Sequence, residues 1–427
     1  MKLHEFVVRR VILLVPVMIG VSLLTFALMS LVPGDAAASA CGDKCGVVVG
    51  YGMIEVENQT TGEMEWQEIP ISAYKSNVMR MDLDENLIER YLEYVGVDFV
   101  PYMGNEPLRL DNNDHLVPKK KIGQQVTRDG LLDGNWGEST LFHRPVADVV
   151  KDVAPVTLEM ALLALLISYP LGIILGIISA VRQDQVFDQF ARFLSIAFVS
   201  LPIFWLAILF QKLLATEMGI CDDLFGTTGG CFPLLSRHDP SLNFPTDGYV
   251  SWYPAGGTGF HFVDSWFVSD AKLATMPAEF DTRRELFKDT VMHLALPCLT
   301  LGVAGAGGLL RYMRASLLEV LREDYVRTAR AKGLSESRVI LVHACRNALI
   351  PIVTILGFSI GGAIGGAVLT ETIFAFTGMG RVAVEAIQYD DQVVVMSITL
   401  ITAIIFLMAN LIVDITYAIV DPRVRLE

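Results

Sequence analysis

The sequence of 427 residues lacks each short motif that would make it a catalyst on its own. There is no G-x-x-x-x-G-K-[ST] phosphate loop, since the glycine-rich stretch Gly302 to Gly308 runs into GLLR inside an apolar run. H-E-x-x-H and G-x-S-x-G are absent, and the 7 histidines form no cluster with carboxylates at metal-ligand spacing. His293 stands alone at the start of an apolar run, where a capping or interfacial role is expected before catalysis. Internal repeats of about 20–50 residues and low-complexity tracts are also missing, which excludes solenoids and arrays. Charge is scarce at 19%. With 52% hydrophobic residues and a mean hydropathy of +0.47, the chain is too apolar for an ordinary soluble enzyme and too polar to consist of membrane spans alone.

What is present is a set of long apolar runs. Six have the length of about 18–25 residues that crosses a hydrocarbon core: Val11 to Val32, Thr157 to Val181, Phe193 to Ala215, Val291 to Leu310, Ile352 to Phe374 and Val393 to Val420. The first follows Lys2, Arg9 and Arg10 as a signal peptide would, but it is longer than a signal core and SLVPGDAAASA is a poor cleavage site, so it is read as a retained span. The expected fold class is an all-α polytopic membrane protein with six transmembrane helices and a small α+β extracytoplasmic insertion. Its segments are an N-terminal tail and first span (1–32), an insertion module (33–154), spans two and three (155–215), an outer loop or cap (216–290), span four (291–310), a cytoplasmic loop (311–350), spans five and six (351–420) and a tail (421–427).

Basic residues orient these spans. Segments 1–10, 182–192, 311–350 and 421–427 hold 15 of the 33 Lys and Arg residues, whereas acidic residues outnumber basic ones two to one in the long outer segments. The positive-inside rule then places both termini and segment 311–350 in the cytoplasm. Cys41, Cys45, Cys221 and Cys231 fall outside the membrane, Cys298 in a span and Cys345 inside. Local disulfides Cys41–Cys45 and Cys221–Cys231 are the favoured reading of the outer four, with free thiols and a metal site as the alternatives.

The first outer segment has strand and helix signals. YGMIEVENQTTGEMEWQEIPI sets Ile54 and Val56 against Met64 and Trp66 across a turn containing Gly62, a hairpin pattern. DLDENLIERYLEYVG then spaces Leu83, Leu87, Ile88, Tyr91, Leu92 and Val95 on one helical face, with Asp82 or Asp84 as N-cap and Gly96 as stop. Asn58-Gln59-Thr60 is a glycosylation triplet of a kind that chance often supplies. The second outer segment is rich in Gly, Pro and aromatic residues without periodicity, which suits an irregular cap.

Inside the spans, Gly172 with Gly176, and Gly357, Gly361, Gly362, Gly365 and Gly366, permit close helix contacts, either within the bundle or against another subunit. Intramembrane polar groups are few: Asn410 and Asp414 at i and i+4, with Glu159 and Glu371 near outer ends. Asp414 lies near the inner surface, so pairing with a backbone group or an inner-leaflet arginine is favoured over a coupling-ion site.

The cytoplasmic segment is the most informative. Arg314 to Lys332 reads as one helix that extends span four, with Leu317, Leu318, Leu321, Tyr325 and Ala329 on a common side. Gly333 ends it as a left-handed cap, Ser335 caps a second helix from Glu336 to Leu349, and Pro351 begins span five. The result is a helix–glycine–helix elbow. Ala329, Ala331 and Gly333 make its tip small, and Arg327, Arg330 and Lys332 ring it with positive charge. Arginines that only enforce topology account for the charge but not for the small tip.

LLEVLREDYVRTARAKGLSESRVILVHACRNALIPIVT strongly resembles the cytoplasmic EAA loop of ABC-importer permeases, in the form typical of the oligopeptide/dipeptide family. VVRRVILLVPVMIGVSLLTFALMSLVPGDAA, APVTLEMALLALLISYPLGIILG, GGAVLTETIFAFTGMGRVAVEAI and NLIVDITYAIVDPRVR are similar to other parts of that family. The resemblance implies a permease that is not itself an enzyme and binds no cofactor, since ATP and Mg belong to a partner ATPase. Its implied partners are a sister permease forming a heterodimer, two cytoplasmic ATPases, an extracytoplasmic binding protein and membrane lipid, with no nucleic acid. It further implies that Asp324, Tyr325, Arg327, Thr328, Ala329, Arg330, Ala331, Lys332 and Gly333 seat in the ATPase, with Thr328 and Ala329 standing where the general motif has two alanines. Residues 36 to about 85 and the 216–290 loop exceed the usual pattern. Peptides are the expected solute, with oligosaccharides and metal chelates as alternatives; a secondary transporter, channel or membrane receptor is the reading from a different class.

Overall fold

The computed structural model describes residues 3–31, 44–57, 64–80, 87–96, 108–110, 116–118, 130–215, 232–235, 258–268 and 282–420. In chain order the elements are α1 (Leu3–Leu31), β1 (Val48–Glu57), β2 (Met64–Ser72), α2 (Ala73–Arg80), α3 (Leu87–Val95), β3 (Leu108–Leu110), β4 (Leu116–Pro118), α4 (Val146–Val181), α5 (Val186–Ser200), α6 (Ile203–Leu214) and α7 (His261–Phe267). They continue with α8 (Arg283–Val320), α9 (Asp324–Ala331), a return segment of three short helical pieces, α10 (Ile350–Ile373), α11 (Met379–Gln388) and α12 (Gln392–Val420). Among the described residues five helices are long and apolar enough to cross a membrane, and six spans result if the bent α5–α6 pair counts as one.

The third apolar run departs from the expected continuous span over Phe193 to Ala215. It is two helices meeting at 110°. Pro202 offers no N–H and its ring disfavours an α conformation for the residue before it, and Leu201 is accordingly extended at φ −78°, ψ 133°. Elsewhere the helices outrun the apolar residues. α4 starts at Val146 rather than Thr157, and α8 runs from Arg283 to Val320 rather than from Val291 to Leu310. A capping box starts α8: Glu285 N–H donates to Thr282 Oγ1 (3.3 Å) and Thr282 N–H to Glu285 Oε2 (3.2 Å).

The chain divides into two compact units. One comprises Met1–Met18, Val150–Val384 and Ile401–Glu427. Its helices approach closely because small residues face large ones. A Cβ on Gly172 would lie 2.6 Å from Leu309 Cβ, and one on Gly176 would lie 2.7 Å from Met313 Cβ, so α4 and α8 touch only because these positions are glycine. Gly361 likewise accepts the Phe406 ring and Gly357 the Asn410 side chain, whereas Gly362 and Gly365 face open space. Two apolar clusters fill this unit. One gathers Met160, Ala207, Leu296, Ala367, Phe374 and Phe376; the other gathers Met313, Leu317, Val326, Val339, Ala344 and Ile352, next to the elbow.

The second unit comprises Ile19–Val149 and Glu385–Leu400. Its main sheet is the β1–β2 hairpin, paired antiparallel with Glu55 opposite Trp66 and Ile54 opposite Gln67. The expected pairing of Ile54 and Val56 with Met64 and Trp66 is therefore out by one position. A one-residue slip exchanges the two faces of a strand, and the connection that sets the register, residues 58–63, is outside the described residues together with the Asn58 triplet. The short pair β3–β4 forms a second sheet. α3 ends at Gly96 (φ 84°) as expected, but Leu87 and Ile88 are exposed while Glu89 is buried. What anchors α3 is aromatic: the Tyr91 and Tyr94 rings lie 5.4 and 6.1 Å from that of Phe26, and Tyr91 OH is 3.0 Å from Ser22 Oγ. Cys45 is disulfide-bonded, whereas Cys41, Cys221 and Cys231 lie outside the described residues.

Candidate functional site

The elbow is built from short-range caps set against a shared core. α8 stops at Val320, where Arg322 N–H donates to Glu319 O (3.1 Å) and Glu323 N–H to Val320 O (3.1 Å). The single helix expected from Arg314 to Lys332 is therefore broken. Glu323 turns extended (φ −67°, ψ 147°) and α9 begins at Asp324. A carboxylate in a first turn faces the positive end of the helix dipole, and Arg327 pairs with it at 3.2 Å. Gly333, at φ 77°, closes α9 through its N–H to Arg330 O (2.9 Å). No Cβ clash would occur there, so the demand for glycine is a backbone demand alone.

Beyond the turn, Ser335 is extended at the N-cap but makes no side-chain cap bond. The expected regular helix to Leu349 is instead Glu336–Arg338, a π-helical stretch Val339–Ala344 and Cys345–Ala348. The wider π-turns face Val339, Ile340 and Ala344 toward the core, onto which Val326 and Ala329 pack. Three polar contacts fix the angle. Arg330 forks onto Glu336 (Nη2 to Oε1 2.7 Å, Nε to Oε2 3.2 Å) across the glycine turn. Asn347 Nδ2 donates to Tyr325 OH at 2.7 Å, and Ser316 Oγ donates to Ala348 O at 2.9 Å. The Arg330 guanidinium holds the Glu336 carboxyl below the usual carboxylate range, and burial pushes the Cys345 thiol up.

The structure divides the sequence-singled residues into two sets. Asp324, Tyr325, Arg327, Thr328, Arg330, Ala331, Lys332 and Gly333 are exposed. Ala329 is buried at 8% exposure, so its small size serves the contact of α9 with its own chain, while Tyr325, which the sequence pattern puts on the same side as Ala329, is exposed.

Behind the elbow lies a group the sequence did not announce. The Asp188 carboxylate, at the start of α5, is fully buried and accepts from Arg314 Nε (2.7 Å) and Nη2 (2.8 Å), Ser179 Oγ (2.5 Å) and Asp184 N–H (2.9 Å). Further along α5, Ser195 Oγ donates to Gly307 O at 2.5 Å. Two polar bolts thus join α5 to α8. The only sequence signal was a carboxylate set among arginines in a short basic connection.

The intramembrane polar groups have partners inside the chain. Asp414 pairs with Arg10 at 3.3 Å and Asn410 Nδ2 donates to Phe406 O at 2.9 Å. Glu159 accepts from Phe262 N–H (2.6 Å). Glu371 accepts from Thr157 Oγ1 (2.6 Å) and Arg381 N–H (2.8 Å), with Gly378 closed over its carboxylate. His293 lies inside α8 rather than at its start, so it caps nothing, and its Nδ1 is 2.9 Å from Asp289 O one turn earlier. A cavity of about 330 Å³ opens at the α5–α6 break, lined in part by Ser168, Phe198, Leu201, Ile203, Gly305 and Gly362.

Residues 172–426, which carry α5 through the elbow to α12, match the family of binding-protein-dependent transport system inner membrane components, and residues 3–49 match the corresponding N-terminal family. The chain belongs to this family. The permease is 33% identical to the di/tripeptide transport system permease protein DppB of Pseudomonas aeruginosa, over 99% of its own length and 98% of that relative. It is 29% identical to the dipeptide transport system permease protein DppB of Escherichia coli (99% and 98% covered) and 27% identical to the oligopeptide transport system permease protein AppB of Bacillus subtilis (98% and 99% covered). It is therefore a multi-pass inner-membrane permease of ABC-importer type, and residues 50–171 lie between the two family matches.

Proposed function

We propose that this permease forms, with a non-identical sister permease, the pathway of an ATP-driven importer for di- and oligopeptides. The named substrates of the relatives support the solute class. The observation that carries the coupling role is the two-sidedness of α9: Val326 and Ala329 are buried in the core at the end of α8, while Arg327, Arg330, Ala331 and Lys332 on the other side are exposed. A surface so anchored moves with the spans when a partner moves it. That partner is a separate cytoplasmic ATPase, one of two, which carries ATP and Mg. An extracytoplasmic binding protein delivers the solute, and both termini face the cytoplasm, an orientation that the distribution of basic residues supports.

The test is co-purification followed by reconstitution. Tagged permease should bring down an ATPase and a second permease, and vesicles holding the complex with its binding protein should take up labelled dipeptide only with ATP inside the complex's ATPase compartment. Uptake without nucleotide, or driven by an ion gradient alone, would refute the proposal.

A further inference from the structure

The cavity at the α5–α6 break has a chemistry of its own. It exists because the neighbouring helices present small residues to it: Ala164 on α4, Ala304 and Gly305 on α8, and Gly362 and Ala363 on α10. Its volume of about 330 Å³ is near the lower end of ordinary small-molecule sites, about 300–1,000 Å³. No charged side chain lines it.

Its polar groups are acceptors or hydroxyls. Pro202 has no N–H, so the Phe198 carbonyl, four residues earlier, has lost its helical donor. The Leu201 N–H goes to Ala197 O (3.1 Å), and the next turn starts afresh with Leu206 N–H on Pro202 O (3.1 Å). The last carbonyls of a helix point along its axis past its C-terminus, here toward a break whose residues Leu201 and Ile203 both line the cavity. The negative end of the α5 dipole is directed to the same place. On the facing side Ser168 is 96% buried, at 4% exposure, and lines the cavity, yet its hydroxyl has no hydrogen-bond partner among the described residues. Broken transmembrane helices use their free carbonyl ends to hold cations within a bilayer.

We infer that this cavity is a solute subsite that receives the amino-terminal end of the transported peptide, its ammonium held by the Ser168 hydroxyl and the free α5 carbonyls and its first side chain among the small residues. The inference rests on the peptide reading above. The absence of a carboxylate from the lining is consistent with passage, because a transport site must release what it binds.

Gly362→Val fills the cavity cleanly, since a Cβ there meets nothing within 4 Å. In vesicles holding the full complex, uptake of labelled leucyl-alanine should fall by about tenfold or more, the scale on which a pocket discriminates a few carbon atoms. Uptake of alanyl-alanine should fall by less than about threefold under the same rule. Ala304→Val should shift the same ratio, and Ser168→Ala should raise the KM for both peptides while binding-protein-stimulated ATPase activity persists. Equal losses for the two peptides, an unchanged ratio, or loss of the sister permease from purified Gly362→Val complex would each overturn the subsite, the last by assigning the cavity to the subunit contact. Wild-type complex importing neither peptide would overturn the peptide reading itself, an outcome distinct from wild-type import with an unshifted ratio.

Discussion

Replacing Asp188 with Asn tests how firmly α5 is tied to α8. Four donors converge on this carboxylate: both forks of Arg314, Ser179 Oγ and Asp184 N–H. An amide offers one acceptor oxygen and brings an NH2 group, so at least one donor meets another donor. Arg314 keeps its charge with a side chain only 17% exposed, and Arg192 at 3.6 Å adds a like charge once the carboxylate is gone. Removing one member of a buried pair costs about 3–5 kcal/mol; partial exposure of Arg314 puts Asp188→Asn at the low end, about 3 kcal/mol. At about 2–4 °C per kcal/mol for chains of moderate length, and less for longer ones, the melting temperature should fall by about 5–10 °C. Thermal unfolding of purified permease in detergent, followed by Trp fluorescence, reads this directly. The double variant Asp188→Leu with Arg314→Met should melt closer to wild type than the two single losses added, because the charge it leaves without the carboxylate, that of Arg192, is on a side chain 44% exposed. Additive losses, or Asp188→Asn within about 1 °C of wild type, would refute the assignment of this pair as the bolt between the helices.

Three further outcomes are expected. At Gly333 the space is open and only the backbone is demanding, so Asn, which tolerates φ near 77°, should keep solute-stimulated ATPase activity in the reconstituted complex, Ala should lower it, and Val should abolish it with the permease still folded; unchanged coupling in Gly333→Val would sink the elbow reading. Gly378→Ala would drive a methyl into the Glu371 carboxylate and to 2.6 Å from Thr157 Oγ1, destabilising by about 3 kcal/mol, whereas Gly20→Ala, with nothing within 4 Å, should leave the melting temperature unchanged. The Glu336 carboxyl is held low by Arg330, so its contribution is present above the ordinary carboxylate pKa of about 4.3 and is lost as pH falls through the lower folded value. Amide exchange at Gly333 should therefore be faster in Glu336→Gln than in wild type at pH 7 and should converge with it on acidification, by a small amount because both partners are exposed.

The spans and the elbow were legible because they rest on local rules: length and apolarity for the spans, the glycine cap at Gly333 and the proline at Pro351 for the elbow. The Pro202 break was not. Pro155, Pro170 and Pro297 lie inside continuous helices, so the residue type alone does not say which proline bends its helix; the packing around it decides. Ala329 shows a different limit. Periodicity tells that a residue faces one side of a helix, but not whether that side meets a partner or the chain's own core. The Asp188–Arg314 pair lies 126 positions apart in sequence, and no window along the chain brings those residues together. The hairpin was readable and its register was not, because register is set by the connection and by which face is covered.

The unbroken helix from Arg283 to Val320 has a geometric consequence. Its 38 residues make a rod about 57 Å long at 1.5 Å per residue, nearly twice the hydrocarbon thickness of about 30 Å. The elbow hangs from one tip and the Thr282 cap closes the other. A tilt of about 10° around its midpoint carries each tip about 5 Å, in opposite directions, by the same rise per residue. A small angular change on one side of the membrane thus becomes an atomic-scale displacement on the other, with its sign reversed.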